Sequence, residues 1–293
     1  MKILVLGSKG QLGQCLNDQL AITEHEVLYT SRRQIDITDF EETNKQILKI
    51  SPDVVINATA YTAVDKAEEE CEAANLVNHH AVANIASTCT QLDCWLIHIS
   101  TDYVFDGNSD VPYKEDNPTN PQGVYGNTKL KGEAAIKASD CKYLIIRTAW
   151  VYSEYGNNFL RTMLRLGADR DELSIVGDQI GCPTYAQDIA KCIVSILSLL
   201  DVKGLSSGIY HYCGDKSCSW YDFARTIFLE AEIQGLKTPS IVKSISTADY
   251  LTPAVRPSYS VLDCSKIESC FHLTRSNWRD GIKVAIDRLK YFG

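Results

Sequence analysis

The chain has 293 residues, 45% of them apolar, and a net charge of −8, enough for a substantial core in one large domain or one and a half. The acidic balance and the lack of a basic stripe argue against a nucleic-acid binder. The opening MKILVLGSKG is too short an apolar run for a signal peptide, and no run approaches the roughly 18–20 apolar residues of a membrane span.

Eleven Cys are present with no Cys-x-x-Cys, and Cys94, Cys141 and Cys192 lie in apolar runs where Cys acts as a small hydrophobe. They read as reduced thiols of a cytosolic protein. The six His are scattered without zinc spacing, which assigns them structural roles.

In chain order, Lys2 to Leu6 is the first strand. It leads into Gly7-x-x-Gly10-x-x-Gly13 and a helix through about Leu20. In such a βα turn two Gly allow a tight bend and close approach of a pyrophosphate. The third lets helix pack on strand, and free N–H groups at the helix start bind the anion. A second strand, Glu26 to Thr30, ends at Ser31-Arg32-Arg33, where an acid would hold the ribose of NAD; the first acid is Asp36. Guanidinium groups suit a 2′-phosphate, so NADPH is favoured, with NADH the alternative and a solvated basic pair the competing reading. Thr38-x-x-Glu41 reads as a capping box for the helix carrying Phe40, Ile47 and Leu48.

Asp53 to Ala58 is the third strand. The loop TAYTAVDKAEEE follows, with Asp65 to Glu70 as a solvated acidic face, and then a long helix from about Glu72 to Gln91. The fourth and fifth strands are Trp95 to Ile99 and Tyr143 to Arg147. Strands alternating with helices imply right-handed βαβ units and a parallel sheet.

Between those two strands runs the stretch from Ser100 to Glu133. A helix beginning near Tyr125 places Tyr125 and Lys129 on one face, their Cβ atoms about 5–6 Å apart. The same spacing recurs at Tyr212 and Lys216, but that pair sits in an alternating strand broken at Gly214, whereas TKLKGEAAIKA after Tyr125 is helix-forming. A phenol and an ammonium facing the Thr101 hydroxyl at a strand end can move a proton to or from a carbonyl oxygen. Ser100 alternates to the other side of the strand.

Beyond Ala149 come a helix from Asn158 to Leu166, a strand from Leu173 to Val176 and the turn-rich GDQIGCPT. A helix from Ala186 to Leu200, a strand from Gly208 to Tyr212 and a helix opened by Ser219 follow. The tail carries Pro239, Pro253, Pro257 and a final amphipathic helix from Trp278 to Leu289. The expected architecture is α/β: a Rossmann-type doubly wound parallel sheet over residues 1–152, with returning segments at about 185–215. A smaller, mixed, interleaved substrate lobe occupies 153–293.

Seven phrases extend these motifs: GxxGQLG at 7–13, NATAYTAVDKAE at 57–68, STDYVFDG at 100–107, YGNTKLKGE at 125–133, RTAWVY at 147–152, GDQIGCPT at 177–184 and RPSYSVLD at 256–263. In this order they resemble the extended short-chain dehydrogenase/reductase family, and within it the dTDP-4-dehydrorhamnose reductases. The resemblance implies reduction of the C4 keto group of dTDP-4-dehydro-L-rhamnose by NADPH to give dTDP-L-rhamnose, with Thr101, Tyr125 and Lys129 catalytic. Tyr125 would protonate the developing alkoxide, Lys129 would bind the nicotinamide ribose and favour phenolate character, and Thr101 would orient the carbonyl. Moving a phenol ~3 units toward the working pH requires about 4 kcal/mol.

The resemblance further implies coenzyme contacts at Gly7, Gly10, Gln11, Leu12, Gly13, Arg32, Asp36, Ile37, Thr59 and Ala60, joined by Tyr125 and Lys129. It places Thr62, Val64, Thr101, Trp150, Asn158 and Arg256 around a dTDP-4-keto-6-deoxy sugar, with Gln179, Pro183 and Thr184 in a loop closing the pocket. The competing readings are a core Trp150 and a surface ion pair for Arg256. Some relatives hold a divalent metal at a dimer contact, but no acid stands at Gln14 and Cys15, so no metal is assigned; a homodimer is left open. The alternatives are another sugar-nucleotide reductase, epimerase or dehydratase, for which Asp102 would be the acid to watch, and a catalytically silent regulatory relative. The intact Thr101, Tyr125 and Lys129 count against the latter.

Overall fold

The computed structural model describes residues 1–200 and 206–292. Five strands, β1 (Lys2–Leu6), β2 (Glu26–Thr30), β3 (Val54–Asn57), β4 (Trp95–Thr101) and β5 (Lys142–Thr148), join the strand Gly208–His211 in one parallel sheet. Its order runs from Gly208–His211 through β5, β4, β3 and β1 to β2. Runs such as Ile3–Leu6 and Val54–Ile56 are buried on both faces of the sheet, which is why they read as unbroken apolar stretches and not as alternation. The chain leaves β1 toward β2 on one side and returns to β3 on the other. A crevice therefore opens at the carboxyl ends of β1 and β3.

Helices Gln11–Leu20 and Ala186–Leu197 cover one face, packing Leu16 and Ile193 against Ile3, Val5 and Ile146. Helices Phe40–Ile50, Ala81–Leu92 and Val124–Ala138 cover the other, with Ile47, Ile85 and Ile136 against Leu4, Val55 and Ile145. A third core of Leu160, Ile175, Phe223, Trp278 and Ile282 lies under helices Phe159–Asp169, Trp220–Ile233 and Trp278–Phe292. The paired strands Glu172–Val176 and Ile241–Ile245 belong to that lobe. Gly208–His211 hydrogen-bonds β5 and so brings the later half of the chain back to the sheet. Among the described residues no helix is long and apolar enough to cross a membrane, and all eleven Cys are free thiols.

Two local expectations need correction. Thr38 does not cap the helix at Phe40: its hydroxyl is turned onto Asp36 Oδ1 at 2.7 Å, and Asp39 is the cap, accepting from Glu42 N at 3.1 Å. The long helix predicted over 72–91 is interrupted by a π-helical turn at Leu76–His80. Asn78 on that turn accepts from Tyr61 N and donates to Tyr61 O and to Thr128 Oγ1. The extra residue of the wider turn thus ties the loop after β3 to the helix carrying Tyr125.

Candidate active site

The glycine turn sits at the mouth of the crevice. Gly7 has φ +84°, a conformation that side chains resist, and a Cβ on Gly13 would lie 2.2 Å from Gly7 O. The helix that follows has no side-chain cap, and its first closing bond runs from Gln14 N to Gly10 O. The N–H groups of Gln11, Leu12 and Gly13 therefore have no partner within the helix and form an anion-binding end. A cleft of about 320 Å³ adjoins this turn. Of the predicted coenzyme residues, Gly7, Gly10, Arg32, Asp36, Ile37, Thr59 and Ala60 line it. Lys9, Tyr61 and Val77 line it too and were not anticipated, since no local pattern marks them. A cradle that any Cβ would fill, a helix end and a basic lip fit a dinucleotide.

Arg32 is 82% exposed and pairs with Asp36 at 3.0 Å. Burial alone would raise the Asp36 carboxyl, but hydrogen bonds from Thr38 and the Arg32 guanidinium hold it below the usual range. An exposed ion pair of this kind is worth about 0–1 kcal/mol, so Arg32 is free to turn to a phosphate.

Thr101 ends β4 and caps the 3-10 turn Asp102–Val104. Its Oγ1 accepts from Tyr103 N at 3.2 Å and donates to Asp102 Oδ1 at 3.0 Å. Tyr125 is half-buried in the first turn of helix Val124–Ala138, edge-on to Tyr103 at 5.5 Å. Gly126 permits that approach, because a Cβ there would meet Tyr103 O at 2.2 Å. One turn on, Lys129 is 1% exposed; its Nζ donates to Ile99 O at 2.6 Å and lies 3.2 Å from His98 Nε2. Burial raises the Tyr125 phenol, with the Thr101 hydroxyl alongside working the other way. Burial also pulls the Lys129 amine down from 10.5 to about 8, and Glu133 opposes it. Glu133 is itself held by Arg147 at 2.6 Å and by Ser100 at 2.5 Å, so Ser100 does face away from Thr101. Asp102 is 2% exposed and raised by burial to about 6. Its Oδ1 is taken by Thr101, and its Oδ2 has no partner among the described residues.

The predicted sugar-side residues are more dispersed. Trp150 has φ +46° and stacks on Trp220 with ring centroids 3.5 Å apart, so one indole face is already covered. Asn158 caps helix Phe159–Asp169 and donates to Gln11 Oε1 at 2.7 Å. Two predicted site residues are thus bonded to each other. Arg256 pairs with Asp65 at 2.8 Å. Thr62 is exposed and Val64, half-buried, opens the short helix Val64–Ala67. Gln179 donates to Thr247 Oγ1 at 3.1 Å, and Pro183 and Thr184 are buried. Trp220 and Asp65 escaped sequence reasoning because their partners are far along the chain. His98 carried a signal, since a polar ring at the same alternation as Ser100 points toward the Lys129 helix.

Comparison with known proteins gives the family. Residues 1–291 match the model of the RmlD substrate binding domain. The chain is 42% identical over 285 residues to a dTDP-4-dehydrorhamnose reductase of Aggregatibacter actinomycetemcomitans, covering 96% of this chain and 97% of that one. Among solved structures it resembles a dTDP-4-dehydrorhamnose reductase of Clostridium acetobutylicum, at 40% identity and a TM-score of 0.90, covering 99% of this chain and 100% of that one. It also resembles the reductase of Bacillus anthracis solved in complex with NADP, at 34% identity and a TM-score of 0.89, covering 98% and 99%. The chain belongs to the RmlD substrate binding domain family.

Proposed function

We propose that the chain reduces the C4 keto group of dTDP-4-dehydro-L-rhamnose to give dTDP-L-rhamnose, using NADPH. The reading is supported by the Thr101 hydroxyl lying beside the Tyr125 phenol at the end of β4, with Lys129 one helical turn on and anchored to the same strand at Ile99 O; none of the three lines the cleft at the glycine turn. This arrangement stands in a chain that matches reductases of this substrate over nearly its whole length.

When bound, the coenzyme supplies a hydride to the sugar carbon. Tyr125 gives its phenolic proton to the sugar oxygen as that oxygen gains negative charge. Burial raises this phenol, opposite to the lowering toward the working pH expected from the sequence, so in the free chain Tyr125 is protonated and stands ready as the donor, and not as a phenolate. Thr101, fixed by Tyr103 N, turns its hydroxyl to the same oxygen and orients the carbonyl. Lys129 offers its amine to the ribose and to the phenolate left behind. The Gln11–Gly13 helix end and Arg32 hold phosphates, and Thr62, Val64 and Trp150 border the sugar on the side of the lobe beyond residue 152. We place the enzyme in the cytoplasm.

The test is NADPH oxidation followed at its near-ultraviolet absorbance. Oxidation is expected with the dTDP-4-keto-6-deoxy sugar present, and its absence under that condition would overturn the reading. An epimerase or dehydratase would convert sugar nucleotide without net loss of NADPH.

A further inference from the structure

Behind Lys129 lies a buried chain of side chains whose protons can be placed by donor and acceptor logic alone. Thr59 gives both its backbone N–H, at 3.1 Å, and its hydroxyl, at 2.5 Å, to one side-chain atom of Asn57. A backbone N–H can only donate, so that atom is the carbonyl Oδ1. The amide nitrogen is then the atom 3.2 Å from His98 Nδ1. An amide NH2 also can only donate, so His98 Nδ1 carries no proton. The ring is therefore neutral, with its proton on Nε2. Nε2 faces Lys129 Nζ at 3.2 Å, and that nitrogen in turn donates to Ile99 O at 2.6 Å. Asn57 and His98 are fully buried, so bulk water does not relieve the arrangement.

An ammonium has three donors and no acceptor, whereas a neutral amine has a lone pair for the imidazole N–H. We propose that His98, locked by Asn57 and Thr59, is a positioning residue that presents an N–H donor to Lys129 and so disfavours its ammonium form. The groups facing Lys129 from the packed elements are consistent with this. Its own helix brings Glu133, which is tied to Arg147 and Ser100; β4 brings His98 and the Ile99 carbonyl. Burial and the nearby Lys129 push His98 well below its ordinary value, in keeping with a neutral ring. Thr59 also lines the dinucleotide cleft, so the chain Thr59–Asn57–His98–Lys129 joins the coenzyme pocket to the amine through hydrogen bonds. The role of the amine rests on the reductase reading above; the placement of the proton does not.

The experiment uses the full chain labelled with 15N in its histidines. The His98 ring signals are identified by their loss in His98→Leu or, where that variant fails to fold, in His98→Gln. Expected is an unprotonated Nδ1 and a protonated Nε2 that do not titrate across the neutral range; a proton on Nδ1, or an imidazolium, overturns the proposal. The second readout is the basic limb of kcat/KM, where the Lys129 ammonium is lost. In Asn57→Asp a carboxylate draws the ring proton to Nδ1 and leaves Nε2 a lone pair aimed at Lys129. That limb should move to higher pH there and in His98→Leu, by about a pH unit, a tenfold change in proton affinity. A limb that stays, or moves to lower pH, overturns the proposal. Should the wild type leave the 4-keto sugar untouched, the reaction assignment falls while the ring signals still decide this one.

Discussion

Asn158 donates its side-chain amide to Gln11 Oε1 over 2.7 Å, joining the loop after β5 to the first turn of the helix behind the glycines. The same residue accepts from Arg161 N as a helix cap. Asn158→Ala should cost about 1 kcal/mol for the cap and a similar amount for the lost bond to Gln11. Thermal unfolding would show a drop of a few degrees, with the NADPH Kd changed by less than about tenfold, within ~1.4 kcal/mol. A Kd weakened about a hundredfold would place the amide on the ligand itself.

Tyr125→Phe keeps the ring against Tyr103 and removes only the donor. Turnover of the keto sugar should fall by about 10²–10⁴, while NADPH binding, measured by fluorescence titration, stays within a few-fold. Persistent turnover would remove the phenol from the mechanism.

Arg32 bears on coenzyme choice. Because its pairing with Asp36 is exposed, Arg32→Ala should leave stability unchanged to within about 0.5 kcal/mol. It should weaken NADPH by roughly tenfold or more, the worth of a charge-assisted bond, and hardly alter NADH. Paired titrations with both coenzymes measure this, and equal losses would assign the 2′-phosphate to another residue.

Lys129 makes stability depend on pH. Burial lowers its pKa from 10.5 to about 8, so between those values the unfolded chain binds more protons than the folded one, and stability rises with pH. Below the folded value the penalty is present in full, on the order of 3 kcal/mol. Lys129→Met should abolish turnover yet be more stable than wild type at neutral pH by about 1–3 kcal/mol, after the loss of its hydrogen bonds. That advantage should shrink as pH climbs through the window. Urea unfolding at neutral pH and at about pH 10 gives the comparison.

Glu133 and Arg147 form a 2.6 Å ion pair with both side chains nearly inaccessible. Glu133→Ala would strand the guanidinium and cost about 3–5 kcal/mol. Replacing both by Met and Leu should recover much of that, a difference that unfolding of the single and double variants reveals.

The parts of the molecule that were legible in the sequence are those set by neighbours along the chain. The glycine turn follows directly from β1, and Tyr125 and Lys129 share a helical face because they are four apart. The unbroken apolar runs read as parallel strands for the same local reason. What escaped reading depends on groups far apart. The cap moved from Thr38 to Asp39 because Asp36 captured the Thr38 hydroxyl. The π-turn follows from Asn78 reaching Tyr61 and Thr128. Trp150 is covered by Trp220, and Arg256 by Asp65, across spans no periodicity reports.

The pairing of Gly208–His211 with β5 has a consequence for synthesis. Until the ribosome has delivered that strand, β5 has a bare edge of unpaired N–H and C=O groups, flanked by the apolar Leu144, Ile145 and Ile146. Such an edge is a template for a second nascent chain. Polypeptides halted between residues 149 and 207 are therefore the ones most prone to clump, and the final strand serves the cell as a seal that arrives late.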